Sequence, residues 1–325
     1  MGPRDSSHLL CVAPMMDWTD RHCRYFHRLL TRRALLYSEM VTTGALLHGD
    51  VERHLRMNAE EYPVALQLGG SEPADLAHCA LLGAQWGYQE INLNCGCPSE
   101  RVQRGAFGAC LMAEPALVAE GVKAMVDVVS IPVTVKHRIG IDKNESYGFV
   151  QDFVGTVSEA GCKVFIVHAR NAWLKGLSPK ENREVPPLRY EQVHQLKQDF
   201  PDLTIVINGG ICTSEQVHAQ LGAVDGVMMG REAYHNPWWL SHWDTAFFGD
   251  APSGISREWV EEQMVCYMER EAAAHGSAWP AIARHMLGLR HGQTGARKWR
   301  RVWSDQSLRA LPPHEVMARA NAQGH

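Results

Sequence analysis

The chain is predicted to be an α/β protein, a TIM (β/α)8 barrel with a C-terminal helical domain. Three observations lead there. Short β-rich apolar runs alternate eight times with segments of helical period. The alternation fills about 230 residues, the size of one closed parallel barrel. Beyond a turn-rich stretch, Asp250-Ala-Pro-Ser-Gly-Ile-Ser256, only helical period remains. An open doubly wound sheet is the alternative, but eight successive units without a visible split fit it less well. The barrel is expected over residues 1–245, and a linker with a helical domain over 246–325.

Each run brings a polar residue to the end where such barrels carry their sites. The first, Val12–Met16, is followed by Asp17. The second, Leu35–Val41, contains Glu39, and the third, Pro63–Leu68, contains Gln67. The fourth, Ile91–Asn94, delivers Asn94 and then Cys97. The fifth, Pro132–Lys136, ends on Lys136 with Arg138 beyond it. The sixth, Val164–His168, leads to His168 and Arg170, the seventh, Leu203–Asn208, to Asn208, and the eighth, Gly226–Gly230, to Arg231. Between runs, Val118, Val122, Met125 and Val129 recur at the spacing that buries one helical face. In the C-terminal part, helices are expected over Arg257–Ala274, about 279–290 and 313–322.

With 325 residues and 45% hydrophobic content the chain can bury a large core, and a net charge of −4 excludes a globally basic polyanion binder. The charge is unevenly placed, however. Residues 251–325 hold ten Lys+Arg against seven Asp+Glu, and no carboxylate falls between Ala272 and Ser304, where Arg284, Arg290, Arg297, Lys298, Arg300 and Arg301 lie. Such a stretch suits a polyanion, or else forms a solvated helical face. Nine cysteines spread over the chain, an odd number with no signal peptide in front, point to a reducing, cytoplasmic setting. Cys95 and Cys97 lack a second pair at finger spacing, so no metal is expected. No apolar run is long enough for a membrane. The start Met1–Ser6 fits the myristoylation pattern only formally.

The chemistry concentrates in Glu90-Ile-Asn-Leu-Asn-Cys-Gly-Cys-Pro-Ser99 and Gly105-Ala-Phe-Gly-Ala-Cys-Leu-Met112. A buried strand delivers the Cys97 thiol into a Gly-rich loop, where it is a candidate acid or nucleophile, or a half-buried thiol beside a turn. Cys110, in the same loop, competes for the role. Asn208-Gly-Gly-Ile211 and Met229-Gly-Arg-Glu-Ala233 put glycines where backbone N–H groups meet a phosphate, in the two consecutive positions where barrels of this type bind one. Lys136 and His168 can face the electron-rich side of a flavin ring while Gln67 bonds its edge.

Together the motifs Ala13-Pro-Met-Met-Asp-Trp-Thr-Asp20, Gln67-Leu-Gly-Gly70, Asn92–Ser99, Val135-Lys-His-Arg-Ile-Gly140, His168-Ala-Arg170, Leu177-Ser-Pro-Lys-Glu-Asn-Arg183, Asn208-Gly-Gly210 and Gly230-Arg-Glu-Ala-Tyr234 closely resemble the tRNA-dihydrouridine synthases, in particular the bacterial A type. The resemblance runs from about Ala13 to Ser304. It implies an FMN-dependent enzyme that takes electrons from NADPH and saturates the C5–C6 bond of D-loop uridines 20 and 20a in tRNA. It implies FMN contacts at Pro14, Met15, Met16, Gln67, Lys136, His168, Asn208, Gly209, Gly210, Gly230 and Arg231, and a catalytic thiol at Cys97. It implies tRNA contacts at or near Asn94, Lys180, Arg183, Arg297 and Arg300, with Trp299 and Trp303 available for stacking. Cys95 stands where the family is usually apolar and is expected in the barrel wall. A monomer is expected. Two other functions compete: a flavin oxidoreductase acting on a free pyrimidine, and an RNA-binding barrel without catalysis.

Overall fold

A computed structural model of the chain describes residues 6–99, 102 and 105–324. Residues 1–5, and with them most of the myristoylation-like pattern, lie outside the described residues. Eight strands form a closed barrel in sequence order, every neighbouring pair parallel: β1 (Leu10–Val12), β2 (Leu35–Thr42), β3 (Val64–Gly69), β4 (Glu90–Cys95), β5 (Val133–Arg138), β6 (Val164–His168), β7 (Thr204–Asn208) and β8 (Gly226–Met229). Strands covered on both faces read as continuous apolar runs, which is why they stand out in the sequence. The first is the exception. It ends at Val12 instead of spanning Val12–Met16, because Pro14 lacks an N–H for the ladder and Asp17 turns the chain with φ of 65°. Ala13 makes the last rung, its N–H donating to Met229 O at 2.8 Å.

Closure depends on a close approach. At Gly226 a Cβ would lie 2.0 Å from the carbonyl oxygen of His8, so any side chain there would push β8 away from the segment entering β1. Inside the barrel, Cys11, Leu35, Tyr37, Ile166, Val206 and Met228 belong to one buried cluster. β4 and β5 differ. Their alternate residues Glu90, Asn92 and Asn94, and Thr134, Lys136 and Arg138, are polar, so half of the bore is apolar and half is hydrogen-bonded. On the outside, Val118, Val122 and Met125 are buried on the helix Pro115–Val126, and Val129 falls beyond its end.

The chain separates into two compact units, one comprising Met1–Met16 with Leu35–Gly230 and the other Asp17–Ala34 with Arg231–His325. The second unit therefore begins at Arg231, ahead of residue 245, and also takes the helix Arg21–Leu30. Asp20 caps that helix, accepting from the N–H groups of His22 and Cys23 at 3.0 Å. Tyr25 from it stacks on Tyr267 of the helix Arg257–His275, with ring centroids 3.9 Å apart. Further helices are Trp279–Ala283, Ala296–Trp303 and Pro313–Gly324. Ala296–Trp303 escapes the reading of the sequence because it is two turns long and follows glycines at 292 and 295.

That short helix is held by a buried carboxylate. Glu261 Oε1 accepts from the indole N–H groups of Trp299 at 2.7 Å and Trp303 at 2.8 Å, and Oε2 accepts from Arg290 at 2.9 Å. Trp299 and Trp303 are thus core residues, 0% and 1% exposed, and do not form a stacking surface. Removing one partner of a buried ionic cluster strands the others. Glu261→Ala is expected to destabilise the protein by about 3–5 kcal/mol in urea unfolding followed by tryptophan fluorescence. A loss below about 1 kcal/mol would mean that the two indoles and Arg290 find other acceptors.

Candidate active site

Strand register assembles the residues read from the sequence. Gln67 pairs with Asn92, Asn94 with Lys136, Arg138 with His168, and His168 with Asn208. Five adjacent strands, β3 to β7, thus bring their C-terminal polar residues to one end of the barrel.

The Cys97 turn is built by Asn94. Its Oδ1 accepts from the backbone N–H groups of Gly96 at 3.0 Å and Cys97 at 2.9 Å, a side-chain mimic of a backbone turn. Arg138 Nε donates to Gly96 O at 3.1 Å, and Ala109 N donates to Cys97 O at 2.9 Å. Gly108 allows that second contact. Its φ is 79°, and a Cβ would sit 2.6 Å from Cys97 O. The Cys97 thiol is half-buried and reaches Ser99 Oγ at 3.6 Å. Cys110 is tied down differently, its thiol donating to Phe107 O at 3.1 Å while burial raises its pKa. Cys95 is fully buried in the barrel wall, and burial raises its pKa strongly. All nine cysteines are free thiols.

Beside this turn the barrel end is cationic. Lys136 Nζ donates to Asn208 Oδ1 at 3.2 Å, and Asn208 Nδ2 donates in turn to Met228 O at 2.8 Å. Burial, helped by Arg138, pushes the Lys136 amine down to about 7. Burial and the positive charges of Arg138, Lys136, Arg170 and Arg183 push His168 well below its usual value, which keeps the imidazole neutral near pH 7. Arg138 is itself lowered to about 10 by burial.

Next to His168 the chain has no room for side chains. Gly209 and Gly210 have φ of 123° and 69°, and a Cβ on Gly209 would meet the His168 ring at 2.8 Å. Tyr190 OH fixes the loop by donating to Gly209 O at 2.6 Å. At Gly230 a Cβ would find only Ala13 Cβ at 3.7 Å and Met15 Sδ at 3.8 Å. Pro14 and Met15 are half-buried and Met16 is exposed. A half-buried amine whose hydrogen-bond acceptor is a neutral amide, a histidine surrounded by cations, and a bare Gly-Gly backbone fit an electron-rich, phosphate-bearing ligand. A flavin mononucleotide satisfies all three.

The remaining expected residues are divided between the two units. Asn94 spends its side chain on the Cys97 turn and on Gln67, to whose Oε1 it donates at 2.9 Å. Lys180 and Arg183 are exposed on a loop pinned by Asn182, which accepts from Trp173 N at 2.7 Å and donates to Trp173 O at 2.9 Å. Arg231 opens the short helix Arg231–His235 directly after Gly230. Arg297 and Arg300 are exposed with Lys298 and Arg301 on the helix Ala296–Trp303. Two arginines of the carboxylate-free stretch do have anionic partners: Arg284 pairs with Asp20 at 2.9 Å, and Arg290 with Glu261. Arg138 is the residue the sequence reading undervalued. It ties Gly96 to the carbonyl oxygens of Asn171 and Asn182, and it lies two positions after Lys136 on the same face of β5. That spacing was the available signal.

The Dihydrouridine synthase (Dus) family profile matches residues 11–321. The chain belongs to the dihydrouridine synthase family. It is 57% identical over 320 residues to the tRNA-dihydrouridine(20/20a) synthase of Pseudomonas putida, covering 97% of this chain and 94% of that one. It is 59% identical over 310 residues to the protein of the same name from Escherichia coli O6:H1, covering 95% and 93%. Membership makes the chain a tRNA-modifying oxidoreductase of a family in which flavin dependence is a common trait. Among solved structures, a 2-naphthoyl-CoA reductase complex shares the fold, with a TM-score of 0.56 and 12% identity over 72% of this chain and 49% of that one. Among the described residues no helix is long and apolar enough to cross a membrane, and no group of three His, Cys, Asp or Glu is placed to hold a metal ion.

Proposed function

We propose that this chain reduces the C5–C6 bond of uridine to dihydrouridine in the tRNA D loop, at positions 20 and 20a, with FMN as resident cofactor and NADPH as electron donor. The observation that carries the reading is the Cys97 thiol, half-buried, in a turn held by Asn94 and Arg138 at the end of β4, with the half-buried Lys136 on the next strand. FMN would be held by Pro14, Met15, Met16, Gln67, Lys136, His168, Asn208, Gly209, Gly210, Gly230 and Arg231, and when bound it supplies hydride to C6 of the uracil.

The remaining chemistry belongs to the protein. As C6 is reduced, negative charge develops on the O4/C5 side of the base, and Cys97 delivers its proton to C5. Lys136 would supply positive charge to an electron-rich ring held at this end of the barrel, and the neutral His168 would add an N–H without adding charge. A uracil inside folded tRNA must first be splayed out, at about a few kcal/mol, so contacts elsewhere on the RNA have to compensate. Asn94, Lys180 and Arg183 on the barrel, and Arg297 and Arg300 on the second unit, are the candidates. The second unit is proposed as the tRNA-binding domain, and the enzyme as a cytoplasmic monomer.

Three outcomes test this reading. Cys97→Ala is expected to keep flavin absorbance and tRNA affinity but to lose at least about 100-fold in turnover, read by nucleoside analysis of tRNA incubated with protein and NADPH. If Cys110→Ala is the dead variant, the thiol assignment fails; equal reduction of free uridine would favour a small-molecule reductase. Lys136→Met should lower the flavin reduction potential by on the order of 30 mV, about 1.4 kcal/mol for a two-electron couple. Because Lys136 loses its proton as pH rises through about 7, the gap between wild type and variant should narrow at alkaline pH. Finally, Arg297→Ala with Arg300→Ala should weaken tRNA binding and reduce the slope of log affinity against log salt by about one per lost phosphate contact. An unchanged slope would remove these arginines from the interface.

A further inference from the structure

Inside the barrel, five hydrogen bonds run head to tail from the Cys97 turn to the opposite end of the bore. The N–H of Cys97 donates to Asn94 Oδ1 at 2.9 Å, Asn94 Nδ2 to Gln67 Oε1 at 2.9 Å, and Gln67 Nε2 to Asn92 Oδ1 at 2.8 Å. Asn92 Nδ2 then donates to Thr134 Oγ1 at 2.8 Å, and Thr134 Oγ1 to Glu90 Oε1 at 2.6 Å. Glu90 also takes the hydroxyl of Tyr37 at 2.8 Å and stands 2.5 Å from His8 Nε2. Gln67, Asn92, Thr134 and Glu90 are each no more than 2% exposed, so water does not complete any of these bonds.

The direction of the series is set at both ends. At the top, two backbone N–H groups can only donate, so Asn94 must turn its oxygen to them and its nitrogen to Gln67. That forces the Gln67 oxygen toward Asn94 and its nitrogen toward Asn92, and the same logic passes to Thr134. At the foot, Glu90 accepts, so the Thr134 hydroxyl points down and leaves a lone pair for Asn92. The two requirements agree, and bonds aligned in this way polarise one another.

We infer that Glu90, Thr134 and Asn92 are positioning residues: they fix which face of the Gln67 amide is presented at the barrel mouth and hold Asn94 in the orientation that builds the Cys97 turn. For the role of Cys97 this inference rests on the reading above; for the geometry of the turn it does not. Thr134 is the link to cut, because valine has its shape and lacks its hydroxyl. Without it Asn92 Nδ2 loses its acceptor, and the Asn92, Gln67 and Asn94 amides are free to rotate.

Thr134→Val is expected to raise amide hydrogen exchange at Gly96 and Cys97 about tenfold, and to lower kcat about 10- to 100-fold with the KM for tRNA unchanged. Thr134→Ser keeps the hydroxyl and should restore both. Tyr37→Phe removes a hydrogen bond to Glu90 of equal burial but outside the series, so it should change neither exchange at the turn nor kcat, whatever it does to melting temperature. Wild-type exchange and kcat in Thr134→Val would overturn the inference, as would equal damage from Thr134→Ser or from Tyr37→Phe. If Thr134→Val does not fold, Asn92→Asp, of the same volume, replaces one donor by an acceptor and must loosen the same two amides; unchanged exchange there is equally fatal. Raised exchange with unchanged kcat would leave the turn geometry correct and instead remove Cys97 from the reaction.

Discussion

A closed parallel barrel gives an inward-facing polar side chain no solvent and no free backbone to bond, so every polar residue in the bore needs another to answer it. Much of this molecule follows from that constraint. β4 and β5 place polar residues at alternate positions, and the only way to bury them is to link them to one another and to Gln67 on β3. The apolar half of the bore, with Leu35, Ile166, Val206 and Met228, carries no such demand and packs as an ordinary core. A polar seam therefore runs up one side of the barrel, and the thiol sits where it emerges.

At that end the constraint changes from hydrogen bonding to charge. Lys136, Arg138, Arg170 and Arg183 act together on His168, and Lys136 is bonded to the neutral amide of Asn208. Desolvation opposes the charged form of a cation, and such a cationic end suits a ligand that supplies electron density. The depressed Lys136 and the neutral His168 are two results of the same crowding. The Arg138 guanidinium is held by three backbone carbonyl oxygens, those of Gly96, Asn171 and Asn182. In doing so it binds the Cys97 turn to the loop that displays Lys180 and Arg183.

How much of this could be read in the sequence depended on how local the cause was. The strand ends were legible because a continuous apolar run, a polar residue and a following glycine all fall within a few positions, as at Asn208-Gly-Gly210. The first strand was placed two residues late at its start and four at its end, because its limits are set by pairing with β2, more than 20 residues away, and with β8, more than 200 away. Asn94 was legible as a polar strand end, but nothing nearby in the sequence shows that its oxygen also serves Gly96 and Cys97. Trp299 and Trp303 looked like stacking platforms among cations, and only Glu261, some forty positions earlier, turns them inward. The assignment of Asp17–Ala34 to the second unit has the same origin: Tyr25 meets Tyr267 and Asp20 meets Arg284 and His285, contacts with no local trace.

Both units use one device for different ends. Each buries a carboxyl group and surrounds it with donors from separate elements: His8, Tyr37 and Thr134 around Glu90, and Trp299, Trp303 and Arg290 around Glu261. A buried acid with several donors specifies geometry more sharply than an apolar contact, because each donor must keep its distance and its angle. In the barrel that sharpness is passed upward through side chains to the thiol. In the helical unit it is passed outward through the backbone. Once Trp299 and Trp303 are fixed inward on an eight-residue helix, Arg297, Lys298, Arg300 and Arg301 must face the solvent together, as one cationic surface.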